Sequence, residues 1–443
     1  MLLRRLFIFF IAIGGAWIIH SLFLGIPPAA QTVLAITFLA LVLWISEVIP
    51  LHITALLVGV LLIIFVPYAP DKVFSQYFDK VVVLVLGGFS LAVAMRRHQL
   101  DEYLSHKLLG RFSSSPSLLI LGALCVTAAV SLWISNSAAA ALAMPIILVI
   151  LKNNKRERGK SLFAKAMVIA VAYGATIGGM GTLIGSTPNV LAQKFLTQHG
   201  LEYGFVEWGV RAFPFTVAMV AITWIILLFV FKPEKFVPVM KKHSQPFSRE
   251  QKQVALIFGL TVLLWMTESA HGIPNSVVAL LPLILLSMMR LLHVNDFKDM
   301  GWDSLILIGG GIALGMAIET SGLSTILAQT LGMVWGTQPY LMVLGGIALV
   351  GVLMTSFISN TAASAVFLPI IASLAAVLGV DITNLVTAAA LGVSLDFILP
   401  MGTPPTAIAY ATQYIHTKDL LKSGILVSIA GIILLSLLAY FTW

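Results

Sequence analysis

Apolar runs of about 20 residues follow one another from end to end of this chain, each long enough to cross the ~30 Å hydrocarbon layer of a bilayer. At that depth every backbone polar group must be bonded within the protein, which confines a spanning chain to helices or a closed barrel. Uninterrupted runs of this length specify helices. The composition agrees: 59% of residues are hydrophobic and 10% charged, and the mean hydropathy is +1.01, far from a soluble domain. The longest polar stretches are short loops near 152–160 and 232–252, which leave no room for a soluble domain. The expected class is an all-α polytopic membrane protein, with the lipid bilayer as its first partner.

The net charge of +8 does not indicate nucleic acid, because the cations cluster in short loops as the positive-inside rule requires. Cys125 is the single cysteine, so no disulfide framework or cysteine metal site is expected. His52, His98 and His271 share no metal-ligand spacing. Arg4 and Arg5 ahead of an apolar run have the look of a secretory leader. No small-residue cleavage site precedes the next span, so a retained first helix is expected over 1–29.

Two halves repeat one another. Trp44-Ile45-Ser46-Glu47 returns as Trp265-Met266-Thr267-Glu268, and Pro50, Ala55, Leu56 and Leu57 return as Pro274, Ala279, Leu280 and Leu281. Gly87-Gly88, with Leu91 and Leu100 behind it, returns as Gly310-Gly311, Leu314 and Leu323. Matches at nearly one interval indicate a duplicated unit, 30–232 and 252–443, joined by a cytoplasmic loop at 233–251.

The most polar phrases inside apolar sequence are also paired. Ser135-Asn136-Ser137 corresponds to Ser359-Asn360-Thr361. Gly185-Ser186-Thr187-Pro188-Asn189 corresponds to Gly402-Thr403-Pro404-Pro405-Thr406. Small hydroxyl and glycine residues also pack membrane helices, but four such phrases, paired across a repeat and each beside a helix break, point to a transporter's substrate and ion site.

Charge indicates how the first pair is threaded. The N-terminus and the 152–165 loop, with Lys152, Lys155, Arg156, Arg158, Lys160 and Lys165, should both be cytoplasmic. Four spans (about 6–26, 30–49, 51–68 and 80–97) precede that loop. A fifth full crossing at 115–151 would therefore put the loop outside. A re-entrant hairpin turning near Ser135-Asn136-Ser137 keeps it inside. Spans at 165–200 and 210–232 then bring the 233–251 loop inside again, so the second unit starts on the opposite side. Its hairpin, 339–377, should enter from outside. The expected architecture is two inverted-topology repeats, about eleven transmembrane helices and two opposed re-entrant hairpins. The segments 99–111 and 321–332 look like amphipathic connectors along the membrane surface.

Hairpin tips expose free backbone N–H groups and carbonyls. Helix N-termini attract anions, and carbonyls with Ser, Thr and Asn oxygens can hold a hard cation such as Na⁺. Proline and glycine break the spans at the second pair of phrases. No Lys or Arg lies in any phrase, so anion binding there would depend on a co-bound cation, which is a physical basis for coupling.

Together these phrases resemble the divalent anion/sodium symporter family, carriers of dicarboxylates, citrate or sulfate, over almost the whole chain. The resemblance implies a homodimer with an elevator-type transport domain and Na⁺ as the coupling ion. It implies one cation site formed by Ser131, Ser135, Asn136 and the Gly185 carbonyl, and a second by Thr355, Asn360 and the carbonyls of Ile358 and Gly402. A small divalent anion would meet Ser135, Asn136, Ser137 and Ser186 on one side, and Ser359, Asn360, Thr361, Thr403 and Pro404 on the other. Three positions depart from the family pattern: Ser137 replaces a usual Thr, Thr187 a usual Pro and Thr406 a usual Asn.

The expected function is Na⁺-driven uptake of a divalent anion, a C4-dicarboxylate such as succinate, fumarate or malate. Sulfate or tricarboxylate transport on the same fold, and proton coupling or exchange, are the alternatives. An intramembrane enzyme would need a nucleophile with a base, or a metal constellation, at membrane depth, and the sequence offers neither. Asp396, six residues before Gly402 in an apolar run, is the ionisable residue most out of place. Glu47 and Glu268, matched across the repeat, read as interfacial or capping residues.

Overall fold

The computed structural model describes residues 2–22, 25–234, 236, 246–400 and 402–443. Among these the regular structure is helical throughout. Eight helices are long and apolar enough to cross a membrane, from Pro28–Ser46 to Thr417–Phe441. Two of the eight, Asn136–Asn153 and Asn360–Leu378, lie in the expected hairpins, and other expected crossings are shorter apolar helices such as Leu51–Phe65. Pro28 and Pro116 stand in the first turn of their helices, and Pro50, Pro274 and Pro339 immediately precede theirs. Proline presets the first φ, and its missing N–H is one that a helix start leaves unbonded anyway.

Each of the two sequences expected to be hairpins folds as a pair of helices joined by a short turn. The first is Pro116–Ser131 and Asn136–Asn153; the second is Tyr340–Thr355 and Asn360–Leu378. Ser135 and Ser359 begin the outgoing arms with the same backbone geometry, φ/ψ of −57°/145° and −61°/146°. Their hydroxyls accept the Ala138 and Ala362 N–H groups at 3.4 and 3.3 Å. These bonds supply partners for N–H groups that a helix start would otherwise leave bare.

The spans after the hairpins are both broken. Leu162–Met180 stops at Gly181, and a new helix, Thr187–Gln198, starts after Ser186. Ile382–Val393 ends before Ser394, and Pro404–Ala411 starts after Thr403. The incoming arm of each hairpin packs along the helix preceding its break. A Cβ at Gly174 would sit 2.8 Å from the Leu124 carbonyl, and one at Gly392 2.7 Å from the Ala348 Cα. Only a hydrogen on those α-carbons lets the backbones approach so closely.

Residues paired by the internal sequence comparison pack reciprocally. Gly87 lies against Ala279, and its counterpart Gly310 lies against Ala55, the counterpart of Ala279. Trp44 donates its indole N–H to the Leu51 carbonyl at 3.2 Å, while Trp265 donates to the Asn275 carbonyl at 3.1 Å. Glu268 accepts the Asn275 N–H at 3.3 Å, a capping role of the expected kind. The segments expected to be connectors contain the helices Leu100–Leu109 and Leu323–Trp335, each packed on the hairpin of its own half.

Candidate substrate and cation site

The elements that carry the four polar phrases are joined by contacts within the first half and across the two halves. Thr182, in the first break, donates its hydroxyl to the carbonyl of Leu132 at the first hairpin tip. The Thr187 and Thr361 hydroxyls hydrogen-bond at 2.5 Å, linking the helix after the first break to the second tip. Pro404–Ala411, after the second break, packs on the outgoing arm of the first hairpin. The helices Asn136–Asn153, Asn360–Leu378, Thr187–Gln198 and Pro404–Ala411 therefore pack into one cluster, with the first turns of Thr187–Gln198 and Asn360–Leu378 in direct contact.

The expected substrate and cation residues differ in depth. Ser135, Asn136, Ser137, Ser186, Ser359 and Asn360 are half-buried and Pro404 is exposed, whereas Ser131, Gly185, Thr355 and Ile358 are buried. Thr361 and Thr403 are also buried, so two of the expected substrate hydroxyls lie behind the others. Ser186 starts Thr187–Gln198 without spending its hydroxyl on a capping bond. Thr403, its counterpart, accepts the Thr406 N–H at 3.4 Å and shares a hydroxyl contact of 3.0 Å with Thr406.

At the first tip the Ser131 hydroxyl donates to the Ala175 carbonyl at 2.6 Å. The Asn136 amide is satisfied when its NH₂ turns toward the same place. It then lies 2.9 Å from Ser131 Oγ, 3.2 Å from the Gly185 carbonyl and 3.3 Å from the Ala175 carbonyl. Three oxygens thus converge on one amide nitrogen in a buried pocket. Hard monovalent cations favour such neutral oxygen donors, so the donor set fits Na⁺. Asn136 also packs on Gly179, where any side chain would displace it. Asn189 braces the break by donating to the Gly179 carbonyl at 2.8 Å and the Thr182 carbonyl at 2.7 Å.

The second tip is less closed. Thr355 donates to the Gly351 carbonyl at 3.0 Å. Among the described residues no hydrogen bond ties the Asn360 amide to Thr355 or Gly402 as Asn136 is tied to Ser131. Thr406 donates to the Thr403 carbonyl at 2.7 Å, a shorter reach than that of Asn189. The Ala175 carbonyl and the Thr187 hydroxyl were not among the expected site residues. Thr187 carries a sequence signal, a hydroxyl where the matched phrase has a proline; a backbone carbonyl carries none.

No cationic side chain enters this cluster among the described contacts. Lys194, on the helix after the first break, is engaged by Asp79 at 2.5 Å. A cavity of about 610 Å³ opens at the far end of that helix, lined in part by Lys80, Glu202, Glu207, Glu268 and Asn275. Its acidic lining is ill suited to a dianion.

Comparison with known proteins supplies the family. Residues 2–443 match the family model for the sodium:sulfate symporter transmembrane region. A sodium-dependent dicarboxylate transporter, SdcS, of Staphylococcus saprophyticus is 32% identical, over 92% of this chain and 85% of its own length. The SdcS of Staphylococcus aureus is 33% identical, over 94% of this chain and 86% of its own. Among solved structures, the YdaH transporter of Alcanivorax borkumensis shares the fold with a TM-score of 0.61 at 14% identity, covering 84% of this chain and 88% of that one. Its topology is described as unusual. This chain is a multi-pass membrane protein that belongs to the sodium:sulfate symporter family, a family of transporters and not of enzymes.

Proposed function

We propose that this protein couples Na⁺ to the uptake of a divalent anion, a C4-dicarboxylate such as succinate, fumarate or malate. The observation that most supports the reading is the position of the Asn136 amide, between a buried oxygen cluster and the half-open tip. Without a cation, Asn136 fills the cluster with its NH₂ and turns its oxygen outward, where a carboxylate would be repelled. With Na⁺ among those oxygens, Asn136 turns Oδ1 inward and presents two N–H donors to the anion. Cation and anion then favour the same amide orientation, and each raises the affinity for the other. The relatives named for sodium-dependent dicarboxylate transport support the same cargo.

In this reading Ser131, Ser135, Asn136 and the Gly185 carbonyl hold one Na⁺, and Thr355, Asn360 and the Ile358 and Gly402 carbonyls hold another. Ser137, Ser186, Ser359, Thr361, Thr403 and Pro404 complete the anion site with the two asparagines. Helix N-termini and hydroxyls provide its positive potential. The two units, 30–232 and 252–443, are inverted repeats whose hairpins enter from opposite faces. The reciprocal Gly87–Ala279 and Gly310–Ala55 contacts support that relation. The hairpins and broken spans move together as an elevator domain within a homodimer.

Sulfate is the second reading of the cargo, prompted by the family model that the chain matches, which is described by sodium:sulfate symport. Radiolabelled succinate uptake into proteoliposomes, driven by an inward Na⁺ gradient and compared with K⁺ and with excess sulfate, separates the two. Uptake that requires Na⁺ and resists sulfate is expected. Abolition by sulfate would transfer the proposal to an inorganic dianion, and Na⁺-independent uptake would overturn the coupling.

A further inference from the structure

Asp396 lies in the second break, 1% exposed, and neither carboxylate oxygen has a hydrogen-bond partner among the described residues. The Ile398 N–H and the Ser356 hydroxyl are its polar neighbours, but neither makes a full hydrogen bond to it, and Ser356 donates to the Val352 carbonyl at 2.9 Å. No Lys, Arg or His is paired with Asp396 among the described ion pairs. An isolated buried carboxylate costs several kcal/mol unless an opposite charge compensates it.

The carboxylate lies beside two elements of the second hairpin site. Its Oδ2 lies so close to Gly402 that a Cβ on that glycine would overlap it. The Gly402 carbonyl is one of the oxygens assigned above to the second cation site, and Ser356 belongs to the tip turn between Thr355 and Asn360. The internal repeat sharpens the point. Six residues before Gly185 stands Gly179, which makes room for the Asn136 amide in the first site. Six residues before Gly402 stands Asp396, so the second site holds a carboxylate where the first holds no side chain.

We propose that Asp396 is a ligand of the second cation site, its carboxylate joining Thr355, Asn360 and the Ile358 and Gly402 carbonyls around a monovalent cation. This inference rests on the cation-site reading above. The two sites are then unlike: the first is neutral, and the second is anionic when empty and neutral when filled. An anionic ligand strengthens cation binding beyond what neutral oxygens provide. The second cation accordingly binds first and does not need the transported anion.

The test is Na⁺-dependent thermal stabilisation of the purified full-length protein in detergent. NaCl is exchanged for choline chloride at constant ionic strength with no dicarboxylate or sulfate present, and wild type is compared with Asp396→Asn and Asp396→Ser. Both variants are expected to raise the Na⁺ concentration for half-maximal stabilisation by about tenfold or more. In choline alone they should melt no lower than wild type, because they remove an uncompensated charge. A wild-type Na⁺ midpoint in both variants would overturn the proposal and leave the sodium-coupled function standing. Failure of the variants to fold, or a lower melting temperature in choline, would overturn it too, by assigning Asp396 a structural role. A wild-type protein with no response to Na⁺ would overturn both this proposal and sodium coupling.

Discussion

The hydroxyls of Thr187 and Thr361 lie 2.5 Å apart although 174 residues separate them in the chain. Thr187 is in the first turn after the first break, and Thr361 follows Asn360 at the second hairpin tip. Their contact joins a broken span of one half to the hairpin of the other. It places two hydroxyls where neither half alone could put them.

Replacing either threonine by valine should raise the KM for the transported anion with little change in Na⁺ dependence, since neither hydroxyl is in the oxygen cluster at Asn136. Losing one neutral hydrogen bond costs about 1 kcal/mol, or roughly fivefold in KM. The double variant should cost less than the sum of the singles, because either single change already breaks the shared bond. Uptake kinetics in proteoliposomes give both quantities, and strict additivity would show that the two hydroxyls act separately.

Asn136 separates cation binding from anion binding. Asn136→Asp keeps an oxygen for the cluster and loses the two N–H donors, so Na⁺ stabilisation should persist while uptake falls by about a hundredfold. Asn136→Ala should lose both. Comparing melting temperatures in NaCl and choline with transport rates distinguishes the variants. Full uptake by Asn136→Asp would rule out the amide as the coupling element.

Gly178 faces the backbone of Ala128, leaving no room for a Cβ. Gly178→Val should push the incoming arm of the first hairpin off Leu162–Met180, at a cost of about 1–3 kcal/mol or more from overpacking. The arm ends at Ser131, so cation binding should fail along with stability. Thermal melting with and without Na⁺ reads both effects.

The Glu234 carboxylate accepts the Leu162 and Phe163 N–H groups at 2.9 and 2.8 Å, capping the helix that leads to the first break from the loop side. Partial burial alone would raise its pKa. Hydrogen bonds from its own and the Phe163 N–H, the Ser161 side chain and the Leu162 N–H outweigh this and hold it below the usual carboxylate value of 4.5. A lowered folded-state value means that the stabilisation is complete above 4.5 and is lost as pH falls through the folded value. Glu234→Gln should therefore melt lower than wild type at pH 7, and the difference should shrink in strongly acidic buffer. Melting curves over that range check the sign.

Much of this architecture was legible because its determinants are local. Pro50, Pro274 and Pro339 mark helix starts through their fixed φ and missing N–H. Ser135 and Ser359 mark hairpin tips because a cap hydroxyl needs only its own next turn. The phrases around Gly185 and Gly402 mark the breaks because glycine and proline act on their own backbone. Composition and run length determined the membrane class, since a bilayer leaves few options to such a chain.

The tertiary structure decided what depends on two distant backbones meeting. The contact of Gly87 with Ala279, the entry of the Ala175 carbonyl into the Asn136 cluster and the contact of Thr187 with Thr361 are set by packing between elements far apart in the chain. Asp396 shows the same division. The sequence marked it as out of place in an apolar run, while only the packed break places its carboxylate against Gly402 without a hydrogen-bonding partner. Local preference acts over a turn of helix; convergence at a site is a property of how turns from different halves pack, and no short stretch of sequence contains it.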